Sequence, residues 1–135
     1  MQQQPPFDRI GGLDVVRALV DRFYDVMDSL PAAAPIRAMH PPDLTVARDK
    51  LTLFLCGWMG GPPLYHDKYG HPRLRRRHLP FPIGDSEAEQ WMLCMNTALQ
   101  DLDDVALREL LSRALLRTSL HMRNQGDIQQ VGPAL

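Results

Sequence analysis

The spacing of apolar side chains along the chain predicts a series of amphipathic helices. Between Leu13 and about Leu30, apolar residues recur every three or four positions, as on one face of a helix: Val16, Val20, Phe23, Tyr24, Met27 and Leu30. A second helix is predicted from about Leu44 to Met59, with one face formed by Ala47, Leu51, Phe54, Leu55 and Trp58. No segment alternates between apolar and polar residues as a half-buried strand would. We therefore predict an all-α protein.

Two more long helices are predicted in the C-terminal half. Ser86 and Glu89 form an S-x-x-E pattern, whose side chains bind the free N–H groups of a first helical turn. The helix that follows would bury Trp91, Met95, Ala98 and Leu102. Asp103 or Asp104 would cap a last helix that runs to about Asn124 and buries Leu107, Leu110, Leu111, Ala114 and Leu115.

Proline and glycine residues separate these helices. Pro31 ends the first, residues 32–39 form a short helical turn, and His40-Pro41-Pro42 forces an extended corner. Asp43 or Thr45 would cap the next helix, which stops at the Gly-Gly-Pro-Pro sequence of residues 60–63. Residues 62–72 are then expected to form a loop, followed by a short helix that ends at His78.

Length and composition limit the organisation of the chain. A chain of 135 residues fits one domain, which we place at residues 8–125, with a mobile leader at 1–7 and a mobile tail at 126–135. The net charge of -1 supplies no field to attract nucleic acid or an anionic membrane. The longest apolar run, Leu51–Met59, is much shorter than the roughly 20 residues that span a bilayer.

The two cysteines suggest the compartment. Cys56 and Cys94 lie in apolar runs and lack the paired spacing of disulfide scaffolds or zinc sites. We interpret them as buried free thiols, which predicts a reducing, cytoplasmic location.

The candidate chemistry centres on His78, in the segment GHPRLRRRHLPFPIG of residues 70–84. A histidine in this setting either bonds to a backbone carbonyl or binds a metal, and an imidazole facing an apolar pocket is a typical axial ligand of haem iron. Such a pocket needs apolar walls, available from Phe54, Leu55, Trp58, Leu74 and Phe81. It also needs cations for the propionates, available from Lys50, Arg73, Arg75, Arg76 and Arg77.

A zinc site formed by His66, His71 and His78 is the competing metal hypothesis. The spacings of five and seven residues are not those of a helical HxxxH pair or of a zinc finger. Neither a phosphate-binding glycine loop nor a nucleophile elbow is present, so the sequence gives no support for hydrolase chemistry.

Four motifs together resemble one family. They are FYD at residues 23–25, FLCGWMGGP at 54–62, YGHPRLRRRHLPFPIG at 69–84 and WMLCM at 91–95. In this order and spacing they closely resemble the group II truncated haemoglobins over roughly residues 8–124. The resemblance implies a shortened globin fold, a two-over-two helical sandwich around b-type haem.

The resemblance also implies roles for individual residues. His78 matches the proximal histidine that binds iron, Tyr24 the distal tyrosine, and Trp91 the tryptophan that marks the family. Ala47 and Leu51 fall on the distal helix facing the ligand, and His40 falls at the corner before it. The remaining haem-pocket residues expected are Lys50, Phe54, Leu55, Trp58, Tyr65, Arg73, Leu74, Arg77 and Phe81.

The function expected is the binding of dioxygen and other diatomic ligands at a five-coordinate iron, with hydrogen bonds from Tyr24 and Trp91. A haem enzyme that reduces peroxide or oxidises nitric oxide is the alternative, and it would need an external reductase because the sequence contains no flavin or nicotinamide domain. A haem-free helical interaction module is a third alternative. The protein is expected to be a monomer or a homodimer.

Overall fold

The computed structural model of the protein describes residues 4–125, and within them all regular structure is helical. The elements are α1 (Pro6–Ile10), α2 (Leu13–Ser29), a 3₁₀ turn (Pro31–Ala33), α3 (Ala34–Ala38), α4 (Thr45–Trp58), α5 (Leu64–Tyr69), α6 (Leu74–His78), α7 (Asp85–Leu99) and α8 (Val105–His121). The all-α prediction is confirmed. None of the helices within these residues is both long and apolar enough to cross a membrane.

Four long helices form the two layers of the fold. Helix α2 packs against α4 and also against α7, and α7 packs against α8, so the pairs α2/α4 and α7/α8 lie one over the other. Their contact is made by large, fully buried side chains, among them Phe23, Met27, Leu55, Met95 and Leu111. The arrangement is the two-over-two sandwich that the family resemblance implies, and short α5 packs against α4.

The N-terminal helix α1 differs from the sequence expectation. It begins at Pro6, inside the segment predicted to be a leader, because Phe7 finds a partner in the turn after α4. The Phe7 N–H donates to the carbonyl of Met59 at 3.0 Å, and the Phe7 ring lies on Gly61. A Cβ on Gly61 would come within 2.5 Å of that ring, so glycine is required there. The predicted tail at 126–135 lies outside the described residues.

Residues 62–72, expected to be a loop, contain helix α5. Tyr65 and Tyr69, four residues apart, lie on one face of this helix with ring centroids 5.1 Å apart. The Tyr69 hydroxyl donates to Asp49 of α4 at 2.7 Å, and Lys68 donates to the same oxygen at 2.9 Å. These contacts with α4 stabilise a helix too short to form alone.

Two further expectations from the sequence are wrong. Helix α7 starts at Asp85 rather than Ser86, and the capping carboxylate is that of Glu87, which accepts the Gly84 N–H at 2.8 Å. Leu110, predicted to be buried on α8, is 44% exposed. At α8 the prediction of an aspartate cap is confirmed, since Asp104 accepts the Leu107 N–H at 3.1 Å.

Candidate haem site

The short helix α6 positions His78 at its last residue. The ring is partly buried, and its Nδ1 atom lies 2.7 Å from the backbone carbonyl oxygen of Leu74. Because a carbonyl only accepts hydrogen bonds, Nδ1 must carry the ring proton, and Nε2 keeps an unshared electron pair. This is the tautomer that an imidazole needs to bind a metal through Nε2, oriented by a backbone partner.

Two connections fix the position of α6 against α8. Arg75 donates from its guanidinium to the carbonyls of His121 and Arg123, both at 3.1 Å. Asn124 donates from its amide nitrogen to the carbonyl of His78 at 3.3 Å. The helix that bears His78 is therefore attached to the end of α8 rather than free to move as a loop.

Helix α4 has two apolar faces, and the structure separates them. Its buried residues are Thr52, Leu53, Leu55 and Cys56, and of these Leu55 and Cys56 belong to the core. Most of the face predicted from sequence is instead only half-buried: Ala47, Leu51, Phe54 and Trp58. Of the predicted face only Leu55 belongs to the core. The half-buried side chains are available to contact a bound group.

A cavity of about 600 Å³ lies beside this face of α4. Phe54 and Trp58 form one wall, Leu74 and Arg75 of α6 a second, and α8 a third through Ala114, Arg117, Thr118, His121 and Met122. A second cavity of about 250 Å³ also reaches Phe54 and Trp58, and is lined further by Tyr65 and His66. Pockets of several hundred Å³ with largely apolar walls are typical of cofactor sites.

A cluster of rings lies at the junction of α2, α3 and α7. The ring of Phe23 packs edge-on against Tyr24, with 4.9 Å between centroids, and lies tilted against Trp91 at 5.0 Å. The ring of His40 meets Tyr24 at 5.7 Å. The structure thus brings together three residues that are far apart in sequence and were predicted to face the same ligand.

The polar atoms of this cluster are available to a ligand. Within residues 4–125, no hydrogen bond joins the Tyr24 hydroxyl or the Trp91 indole N–H to another group of the protein. Burial raises the pKa of Tyr24, although Arg48, over its ring at 5.8 Å, opposes that shift. Tyr24 therefore stays protonated, and both side chains are donors.

Some of the residues expected in the haem pocket line a cavity, and others do not. Phe54, Trp58 and Leu74 line the larger cavity, and Tyr65 lines the smaller. Lys50 lies over the ring of Tyr69 at 5.2 Å. Phe81 is 39% exposed and lines neither of these two cavities.

The arginines expected at the propionates are exposed. Arg77 donates to the carbonyl of Pro72 at 2.7 Å, and Arg73 adopts a left-handed backbone with φ of 45° at the start of α6. Arg75, a further candidate, is engaged with the end of α8. Both Arg73 and Arg77 keep solvent-facing side chains.

The zinc hypothesis does not agree with the structure. Among residues 4–125, no three His, Cys, Asp or Glu side chains come together as metal ligands. The rings of His66 and His71 do lie 5.4 Å apart, but Nδ1 of His71 accepts the Arg73 N–H at 3.0 Å. His71 thus helps to shape the start of α6.

One contact near the site was not predicted from the sequence, namely the ion pairs that Arg48 forms with Asp21 and Asp25. Its guanidinium donates to the Asp21 carboxylate at 3.1 Å and to the Asp25 carboxylate at 2.7 Å, and so connects α4 to α2 on either side of Tyr24. The two aspartates, four residues apart on a predicted helix, were the available signal.

Haem fits these residues. Nε2 of His78 carries a free lone pair, Leu74 and Arg75 of the same helix line a mainly apolar cavity, and the Tyr24 and Trp91 side chains lie in the cluster around Phe23. Together, a two-over-two sandwich and a site of this composition define a globin of the shortened type.

Comparison with known proteins gives the same class. The bacterial-like globin family matches residues 6–124. The group 2 truncated haemoglobin of Bacillus subtilis is 41% identical over 125 residues, 92% of each chain. The solved group II two-on-two haemoglobin of Agrobacterium tumefaciens is 43% identical, with a TM-score of 0.88 over 93% of this chain and 98% of that one.

A truncated oxygen-avid haemoglobin from Bacillus subtilis, solved by X-ray crystallography, is 41% identical, with a TM-score of 0.80 over 90% of this chain and all of that one. The chain belongs to the group II truncated haemoglobins. Membership of this family supports the binding of small ligands at haem. It therefore argues against the third hypothesis from the sequence, a haem-free interaction module.

Proposed function

We propose that this protein binds dioxygen at a b-type haem whose iron has His78 as its only protein ligand. The observation that carries the proposal is the hydrogen bond of 2.7 Å between His78 Nδ1 and the Leu74 carbonyl, which leaves Nε2 as the ligand atom. When bound, the haem would supply an iron that can bind both this nitrogen and a diatomic ligand.

Tyr24 and Trp91 are proposed as the donors that retain dioxygen. A donor preorganised in a site with little water interacts strongly with a ligand that gains negative charge, and weakly with carbon monoxide, which gains little. Each hydrogen bond contributes about 1 kcal/mol, so the two together slow dioxygen release by roughly tenfold or more. The oxygen-avid relative from Bacillus subtilis supports this part of the proposal.

Other residues provide the shape and polarity of the pocket. Phe54, Trp58 and Leu74 exclude water from the cofactor, whereas Ala47 leaves the distal side open for ligand entry. Lys50 and Arg77 are proposed to hold the propionates at the exposed edge. Cys56 and Cys94 are free and buried, in keeping with a reducing, cytoplasmic compartment.

The test is reconstitution of the purified protein with haemin. The proposal expects a Soret band, and a ferrous spectrum of five-coordinate, high-spin iron in the absence of oxygen. A ferrous spectrum unchanged by His78→Ala would refute His78 as the ligand.

Redox catalysis is the second candidate function, either peroxide reduction or nitric-oxide oxidation with an external electron donor. It is favoured by a third polar group beside Tyr24, the His40 ring, which could exchange a proton. Turnover with a chemical reductant and either substrate would support this function over ligand binding alone.

A further inference from the structure

The exposed side of helix α6 carries a concentrated positive charge. Its exposed arginines are Arg73, Arg75, Arg76 and Arg77. The segment of residues 70–84 contains no acidic residue to offset them. Arg75 and Arg77 donate to backbone carbonyls, which hold a guanidinium without neutralising its charge. Within residues 4–125, the side chains of Arg73 and Arg76 form neither a hydrogen bond nor an ion pair.

The stability of the fold does not explain this cluster. Like charges within one helical turn repel one another, and here no carboxylate of the same segment reduces the repulsion. Arg73 also has a φ of 45°, in the left-handed region that is unfavourable for a residue with a Cβ. Both features disfavour the folded chain, and a negatively charged partner would offset the first of them.

An exposed apolar side chain lies beside the arginines. Leu79, which follows the last residue of α6 and keeps helical backbone angles, is 51% exposed. Arg73, Arg76 and Leu79 are spaced by three residues, so they lie along one side of the helix. We call these three residues the α6 patch. Arginine beside an exposed apolar side chain is a composition typical of protein–protein interfaces.

The α6 patch belongs to the helix that carries the proposed iron ligand. His78 is two residues from Arg76, a spacing that places the two side chains on opposite sides of a helix. The His78 ring is partly buried, whereas Arg76 is exposed. A helix with its side chains is about 10–12 Å across, a distance over which electrons pass between redox centres. A protein seated on the patch would therefore be separated from the ligand-bearing side by one helix.

We propose that the α6 patch docks an acidic electron-transfer protein, whose flavin or iron–sulfur cluster lies close to surface carboxylates. The inference rests on the proposed function, because it requires haem on His78. One electron leaves the reduced centre of the partner, which is oxidised, and converts ferric iron to ferrous iron. No bond forms or breaks, and no proton moves. The partner thus regenerates the ferrous state that binds dioxygen.

The size and charge of the α6 patch favour such a transient protein complex. Encounters between electron-transfer proteins have some of the smallest interfaces, below about 1,200 Å², and opposite charges steer them together. A nucleic acid would meet a chain whose net charge is -1, which provides no general attraction to a polyanion. A membrane would attract the same arginines, but one exposed leucine offers little apolar area for insertion.

The probe is a plant-type ferredoxin, a small acidic iron–sulfur protein, titrated into the haem-loaded protein by calorimetry at low ionic strength. We expect Arg73→Gln/Arg76→Gln to weaken binding by about three- to tenfold. The matched control is Arg17→Gln/Arg113→Gln, which removes the same charge from exposed arginines of α2 and α8. Because screening weakens distant charges, the control should stay within about twofold of the wild type. Salt at about 0.5 M should abolish the difference between the two variants.

A second readout follows the electron. Reduced ferredoxin should reduce the ferric protein, with carbon monoxide present to trap ferrous iron. The rate should fall in Arg73→Gln/Arg76→Gln by the same factor as the affinity, and should be kept in the control.

Equal ferredoxin binding by Arg73→Gln/Arg76→Gln and the wild type would overturn the proposal, whether or not the variant loses haem faster. Cosedimentation with phosphatidylserine vesicles in place of ferredoxin binding would assign the α6 patch to a membrane, and would overturn it as well. Failure of the proposed function would be seen separately, as a missing Soret band in the wild type.

Discussion

Nδ1 of His78 and the carbonyl oxygen of Leu74 lie 2.7 Å apart, within a helix of only five residues. Leu74 also lines the 600 Å³ cavity, so one residue contributes both to the wall of the pocket and to the orientation of the candidate iron ligand. The backbone of α6 thereby determines which nitrogen of His78 is free.

Replacement of His78 by alanine should remove the proximal ligand. We expect the five-coordinate ferrous spectrum to be lost and haem to transfer faster to an acceptor apoprotein. Added imidazole should restore the spectrum, because it can occupy the space that the side chain leaves. His71→Asn removes an exposed histidine of the preceding loop but keeps a side-chain acceptor for the Arg73 N–H, so it is the control and should keep the wild-type spectrum.

Removal of the Trp91 donor should speed dioxygen release. We expect the off-rate of Trp91→Phe to rise by about five- to tenfold, since one hydrogen bond contributes about 1 kcal/mol. Stopped-flow mixing with carbon monoxide measures this rate. Carbon monoxide release from the same variant is the internal control and should change much less. An unchanged dioxygen off-rate would exclude Trp91 as a donor.

Replacement of Arg48 by methionine should weaken the α2/α4 pair. Arg48 contacts two carboxylates and is 27% exposed, so we expect a loss of about 1 kcal/mol in the free energy of unfolding, smaller at high salt. Arg22→Met is the matched control, because Arg22 and Asp101 are both largely exposed and 3.7 Å apart. Urea unfolding compares the two, and equal losses would contradict a special role for Arg48.

An alanine at Gly61 should displace α1. Its Cβ would overlap the Phe7 ring, which predicts a loss of about 1–3 kcal/mol in unfolding free energy. The loss should shrink when Phe7 is also changed to alanine, because the clash partner is gone. Gly57→Ala is the control: its Cβ would be 3.6 Å from its nearest neighbours, so we expect no loss.

The ionisation of Asp104 should make the stability of the folded protein depend on pH in the acidic range. Its hydrogen bond with Arg9 and its capping of α8 lower its pKa in the folded protein. A group whose pKa is lowered on folding stabilises the protein above its unfolded pKa of about 3.9, and that contribution is lost as pH falls through the folded value. Asp104→Asn should therefore reduce the melting temperature at pH 6 and have less effect near pH 3.

Asp103→Asn is the comparison for that experiment, since Asp103 is exposed and lies next to Asp104 in the sequence. It should change the melting temperature little at either pH. A difference between wild type and Asp104→Asn that stays constant from pH 6 to 3 would contradict an electrostatic origin.

The sequence by itself determined the long helices, because apolar periodicity and the proline and glycine breaks act over a few neighbouring residues. It also carried the motifs around His78, and with them the family. Tertiary structure decided everything that depends on distant partners. Helix α1 forms because Gly61 leaves room for the ring of Phe7. Helix α5 is stabilised because Asp49 of α4 accepts hydrogen bonds from Tyr69 and Lys68.

The apolar residues of α4 also show which features the sequence determines and which depend on tertiary structure. Periodicity grouped Leu51, Phe54, Leu55 and Trp58 on one face, yet in the structure only Leu55 is buried in the core. The others are half-buried, and Phe54 and Trp58 line the cavity. A hydrophobic pattern records that a side chain avoids water, but it cannot tell a protein neighbour from a cofactor. That distinction depends on where α6 and α8 lie relative to α4, which only the tertiary structure determines.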